Sequence, residues 1–376
     1  VGVPARSVLI AASLGLAFAS PFAQAPAQAP QRPWYQTITY NVLAETSYTY
    51  NFNRPDSALN QYRAFDYEDH TLELDQVQLV IQKPVAKPGE VGFRLDMSAG
   101  TTVPKVTAAY GLFRNINTGE SQDFDLQQAF LSYVAPVGRG LRLDMGKFFT
   151  YFSYEVTDSY AAYNDNASRS FNFTLGTPIT HTGVRATYPF SDKVSGMLML
   201  VQGWDDVTDN NKAMSLGFQL AFTPTPKWSL YFNWMGGAEE RNNNHDKRYL
   251  YEFNGAYKAT DAITLGFDTL YGTEQEAAGP GKAGTWDGVA GYLRYQITDR
   301  FALCFRGELF DDREGVRSGV AQTLKELTLT PEYRIGKHFV VRGDLRCDWS
   351  DQDVFQKRAL HAQSQPTVSL EVLYVF

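Results

Sequence analysis

The chain has 376 residues, a formal net charge of −7, 44% hydrophobic and 14% aromatic residues, 30 glycines and two cysteines. No interior run approaches the ~18 apolar residues a membrane helix needs, which excludes a helical membrane protein. The acidic balance, with no basic stripe or tail, argues against nucleic acid as a partner, and two cysteines supply neither a disulfide framework nor a four-cysteine zinc site.

Arg6 precedes an apolar run over residues 8–19, and small residues follow at Ala19, Ala23 and Ala25. That order predicts a secretory signal peptide within residues 1–25, cleaved after Ala19 or Ala25. Residues 26–36, rich in Ala, Pro and Gln, read as a flexible lead-in. From residue 37 to 376 the pattern has period two. Met214, Leu216, Phe218, Leu220 and Phe222 alternate with small or polar residues, as do Trp228, Leu230, Phe232 and Trp234. Such alternation is a strand whose two faces meet different environments. Turn residues recur at 84–89, 137–140, 189–192, 223–227, 259–261, 298–300 and 335–337. Eight longer polar stretches lie between them. Seven short turns and eight long loops predict an all-β, closed antiparallel transmembrane β-barrel of about 16 strands, with short periplasmic turns and long extracellular loops. An open sheet of that width would leave hazardous edges.

Leu72 and Leu74 are out of phase with Val77, Leu79 and Ile81, which predicts a bulge near Asp75 and Gln76. Residues 124–134 and 194–201 can be read in either phase. Tyr188, Trp228, Tyr257, Trp286, Tyr295, Tyr333, Trp349 and Tyr374 fall near predicted strand ends, where aromatic girdles lie. The last strand alternates Val368, Leu370, Val372, Tyr374 and Phe376, and an aromatic end of this kind resembles the signal read by the barrel-assembly machinery.

If the apolar parity faces outer-membrane lipid, the other parity faces the lumen. Arg94, Asp96, Arg142, Asp144, Arg185, Arg306, Glu308, Arg342, Asp344, Arg346 and Asp348 then line a pore. Residues two apart stand about 6.6 Å from each other on one face and form ladders. Charges are costly against mid-membrane lipid, so their shared parity implies a watery interior, and sixteen strands leave an aqueous channel where eight would be filled. The net negative charge favours cations weakly; the inward arginines favour anions.

Candidate chemistry is sparse. His70, His181, His245, His338 and His361 form no HxxxH or HExxH pattern. Ser168, Ser170 and His181 lack diagnostic spacing for a barrel lipase. Asp205, Asp206 and Asp209 lack the spacing of a twelve-residue calcium loop and read as an exposed acidic loop. Cys304 and Cys347 fall on opposite parities, which disfavours a disulfide between them. No catalytic, metal or cofactor site is expected.

The ordered succession of Val91-Gly92-Phe93-Arg94-Leu95-Asp96, Gly146-Lys147-Phe148, His181-Thr182-Gly183-Val184-Arg185, Gly203-Trp204-Asp205, Arg306-Gly307-Glu308 and Thr328-Leu329-Thr330-Pro331-Glu332 resembles the β-barrel porin-2 (OmpL-like) family over nearly the whole mature chain. The resemblance implies an outer-membrane channel passing small hydrophilic solutes or ions by passive diffusion. By likeness to porins of this size it implies a homotrimer. By the same likeness the third loop, residues 151–176, folds inward as a constriction. Its Glu155, Asp158, Asp165 and Arg169 then form an eyelet, the acids facing wall arginines and setting up a transverse field. The alternatives are a barrel lipase or protease and an adhesion or structural barrel.

Overall fold

The computed structural model describes residues 33–106, 111–114 and 120–376. The expected signal peptide and most of the lead-in lie outside the described residues. Strands follow one another along the chain: β1 (Thr39–Asn51), β2 (Thr71–Lys83), β3 (Val91–Ala99), β4 (Phe124–Ala135), β5 (Leu141–Phe149), β6 (Thr180–Pro189), β7 (Val194–Val201) and β8 (Ser215–Phe222). They continue with β9 (Trp228–Ala238), β10 (Lys247–Lys258), β11 (Ile263–Glu274), β12 (Gly284–Gln296), β13 (Phe301–Asp312) and β14 (Gln322–Ile335). Last come β15 (Phe339–Arg342), β16 (Leu345–Ser350), β17 (Phe355–Lys357), β18 (Leu360–Ala362) and β19 (Ser364–Val375).

β1 to β14 pair in sequence, all antiparallel. β15 and β16 are two halves of one strand, both lying between β14 and β19 and interrupted at Gly343 and Asp344. β19 pairs back onto β1 from Leu43 opposite Val375 to Asn51 opposite Thr367. At the seam, the Val42 N–H donates to the Phe376 carbonyl at 2.8 Å and the Phe376 N–H returns to Val42 at 2.9 Å. The result is a closed antiparallel barrel of sixteen strands among the described residues, with no free sheet edge. β17 and β18 form a separate hairpin in the last long link.

The links at one end are short and those at the other are long, residues 150–179 being the longest. Leu72, Leu131, Met145, Leu198 and Leu327 stand on the outer face, each more than 60% exposed, as an apolar band facing lipid requires. The phase conflict in β2 resolves as a bulge: Glu45 pairs with Gln76, yet Ser47 pairs with Glu73. A second register shift, at Gln127 between the pairs Asp96–Gln128 and Met97–Leu126, settles the phase of β4. β7 puts Met197, Met199 and Val201 inside and Leu198 and Leu200 outside.

Two expectations are corrected. Trp286 is no girdle residue: it is fully buried inside the barrel, edge-on to Trp204. Nor is the interior watery throughout. Phe148, Met199, Val201, Met235, Leu250, Leu270, Trp286, Phe310 and Leu324 share an apolar cluster with Phe152, Phe171, Trp204 and Phe355 from the links. The cluster sits toward the long-link end, because most of its strand residues lie close to a long link.

Candidate functional site inside the barrel

Residues 150–179 run inside the cylinder. Their bonds reach strands around most of its circumference, which only a segment within the lumen can do. The Tyr151 hydroxyl donates to the Trp234 carbonyl on β9 (2.6 Å), the Ser153 N–H to Glu252 on β10 (2.6 Å) and the Tyr154 N–H to Asp268 on β11 (3.2 Å). The Tyr154 ring stacks on Tyr292 of β12 at 4.3 Å. The Asp158 carbonyl accepts from Gln76 on β2 at 3.0 Å. On the return, the Ala167 and Ser168 N–H groups donate to Asp344 (3.1 and 2.7 Å), and those of Phe171 and Asn172 to Glu308 (2.5 and 2.6 Å). The segment leaves through a short π-helical turn, Asn172–Gly176, where the Trp286 Nε1–H donates to the Gly176 carbonyl at 3.2 Å.

The loop acids do not face wall arginines across open space. They touch them. Glu155 meets Arg306 at 2.7 Å, Asp165 meets Arg294 at 2.8 Å, and Asp158 meets Arg342 at 3.1 Å and the loop's own Arg169 at 2.7 Å. A charge removed from water needs such a partner. Arg346 continues the pattern, donating to Asp348 (2.7 Å) and to the Arg169 carbonyl (2.5 Å). Arg306, Arg342 and Arg346 have no side-chain exposure.

The opposite wall differs. Arg94 holds Asp96 through two bonds of 2.7 and 2.8 Å. Asp144 lies between Arg142 and Arg185, each 2.9 Å away. The Arg185 guanidinium also covers the Phe148 ring at 4.5 Å. Three guanidiniums thus face two carboxylates on β3, β5 and β6. Their side chains keep 21%, 25% and 22% exposure for Arg94, Arg142 and Arg185. All three lie close to short turns, so the accessible part of this wall is at the short-turn end.

Reading by single strands missed the wall acids Glu45, Glu252, Asp268, Glu326, Glu332 and Glu371. Each is on the inner face and buried, and the parity that marked Arg306 and Glu308 would have found them. The serine and histidine candidates are not brought together. The Ser168 Oγ–H donates to Asp344 (2.6 Å), the Ser170 Oγ–H to Glu155 (2.7 Å), and His181 Nε2 is 3.1 Å from the Thr150 hydroxyl. Asp205 is not in an exposed acidic loop: it is buried and accepts from the Ile179 and Thr180 N–H groups at 2.6 and 2.9 Å. Cys304 faces inward and Cys347 outward, both as free thiols.

Solved structures share this architecture. An anion-selective porin from Comamonas acidovorans superposes with a TM-score of 0.62 at 12% identity, over 90% of this chain and 99% of that one. The outer-membrane channel DcaP of Acinetobacter baumannii gives 0.58 at 12%, over 90% and 97%. OmpT of Vibrio cholerae, in its trimer form, gives 0.56 at 11%, over 90% and 99%. No curated protein matches the chain by sequence. The family model described as "Putative beta-barrel porin-2, OmpL-like" matches residues 37–376, the whole of the barrel, and the chain therefore belongs to that family of outer-membrane β-barrel porins.

Proposed function

We propose that the barrel passes small hydrophilic solutes by passive diffusion, with a preference for anions, along the wall formed by β3, β5 and β6. One observation carries this reading. Arg94, Arg142 and Arg185 keep solvent access while Arg306, Arg342 and Arg346, which the inward segment covers, have none. Water, and a solute travelling with it, has room on that side, and the local balance of three cations to two carboxylates favours negative charge. The net charge of the whole chain is negative, but a solute in a confined path responds first to the groups lining it.

The same proposal places the short turns in the periplasm and the long links outside the cell of a Gram-negative-type bacterium, the chain being exported by its N-terminal signal. It takes the protein as a homotrimer in outer-membrane lipid, with Phe376 read by the barrel-assembly machinery. No catalytic step is assigned, since the serine and histidine candidates are engaged elsewhere. Single-channel recording in a planar bilayer tests the reading. The expected result is stepwise conductance, with a reversal potential of the anion-preferring sign across a potassium chloride gradient. A folded protein that hydrolyses phospholipid and gives no steps would overturn it in favour of an enzyme.

A further inference from the structure

We infer that Glu45, Asp158 and Glu371 form a calcium site that fastens the inward segment to the seam of the barrel. Glu45 is on β1, Glu371 on β19 and Asp158 in the segment, and one oxygen of each lies within 4.8 Å of the others. All three side chains are buried. Carboxylate oxygens gathered so closely need a cation or a shared proton among them. Asp75 of β2 lines the same small cavity, as do the hydroxyl-bearing Ser47, Thr49 and Ser369.

Four oxygens around this cavity have no hydrogen-bond partner: Glu45 Oε1, Thr49 Oγ1, Asp66 Oδ1 and Asp75 Oδ2, on residues 3%, 1%, 8% and 5% exposed. Asp75 is outside the converging triad, so its orphaned oxygen points independently to an occupant of the cavity. A buried acceptor without a donor is costly and calls for a partner. Charge leads to the same place. Five carboxylates, Glu45, Asp66, Asp75, Asp158 and Glu371, face three guanidiniums. Arg342 binds Asp158 and Glu371, Arg169 binds Asp158, and Arg63 binds Asp66. Two negative charges remain, which one divalent cation balances.

The donors are all hard oxygens, which selects calcium or magnesium over transition metals. The cavity measures about 10 Å³, room for a single ion or water. Magnesium keeps several of its waters, whereas calcium accepts direct carboxylate and hydroxyl ligands in irregular geometry. Calcium is the occupant that fits. The site is on β1, β2 and β19, apart from the β3, β5 and β6 wall, so its test does not depend on the solute path.

The experiment is calorimetric titration of the folded, EDTA-stripped protein in detergent with calcium chloride and, separately, magnesium chloride at neutral pH. One calcium per chain is expected, with magnesium at least about tenfold weaker, and with Glu45→Gln and Asp75→Asn each weakening calcium by about tenfold or more. Hydrogen exchange on the wild type is expected to show calcium slowing residues 156–164 together with β1 and β19. No calcium heat up to about 10 mM, beyond the range of weak extracellular sites, would overturn the site and leave the carboxylates sharing a proton. Unaltered affinity in either folded variant, or protection that leaves out residues 156–164 or leaves out β1 and β19, would also overturn it. If neither variant folds, the wild-type exchange pattern decides.

Discussion

Arg306 of β13 and Glu155 of the inward segment meet at 2.7 Å with both side chains almost wholly removed from solvent. Arg306 also binds Glu326 at 2.6 Å and donates to the Ser168 carbonyl at 2.7 Å, and Glu155 accepts from the Ser170 N–H and hydroxyl. The pair therefore ties both limbs of the segment to one wall strand. Breaking a buried pair from one side costs about 3–5 kcal/mol, because the remaining charge is left uncompensated. Glu155→Gln is expected to loosen the segment while the sheet, whose hydrogen bonds are untouched, persists. Single-channel conductance should rise and flicker. Conductance and noise equal to wild type would show that the pair does not hold the inward segment in place.

Asp144 sits between two cations, so its removal and theirs have opposite signs. Asp144→Asn leaves Arg142 and Arg185 facing the lumen without their shared carboxylate, and the reversal potential should move further toward anion preference. Arg142→Ala should move it the other way. Both arginines are partly solvated, so both shifts should shrink as salt is raised. Shifts of the same sign in the two variants would remove this wall from the solute path.

Much of this fold is legible in period two. β9 to β14 alternate cleanly because one face meets lipid and the other does not, and the clash between Leu72 and Val77 could be resolved only by a bulge. The contents of the lumen are not legible in the same way. Parity says that Trp286, Leu250 and Phe310 face inward, but their apolar partners Phe152 and Phe171 come from a link far away in sequence. No local pattern announces such a pairing. Period two also cannot tell a charge that meets water, such as Arg94, from one that meets the returning chain, such as Arg342.

The link between β7 and β8 carries a pH-sensitive pair. Asp206 is pushed up to about 7, chiefly by burial and then by the neighbouring charges of Glu239 and Asp205. Asp205 is pushed up to about 6 by burial, against the opposing pull of the Thr180 and Ile179 N–H groups. In the opened link both would titrate near ~3.9, so the closed link takes up protons that the opened one releases. Its stability should grow as pH falls through about 7 and 6, and be lost as pH rises through the same range. Hydrogen exchange of residues 203–212, corrected for the intrinsic pH effect, should slow from pH 8 to pH 5. Asp206→Asn should flatten the upper part of that profile. An equally steep profile in the variant would place the titration elsewhere.

Gly272 of β11 lies directly opposite Trp286 of β12, and a Cβ added there would stand 2.0 Å from the indole Cε2. Only a residue without a side chain lets the ring lie flat against the wall, where its Nε1–H anchors the end of the inward segment at Gly176. Gly272→Ala must displace the indole, and overpacking of this kind costs typically about 1–3 kcal/mol. The variant should shift tryptophan emission to the red and raise proteolysis of residues 171–179, matching Trp286→Phe in the second effect. Gly291→Ala is the control, because a Cβ there meets nothing within 4 Å on the outer face; emission and proteolysis should be those of wild type. If Gly272→Ala behaved like Gly291→Ala, the ring would have slack that the packing around Trp204 and Trp286 does not provide.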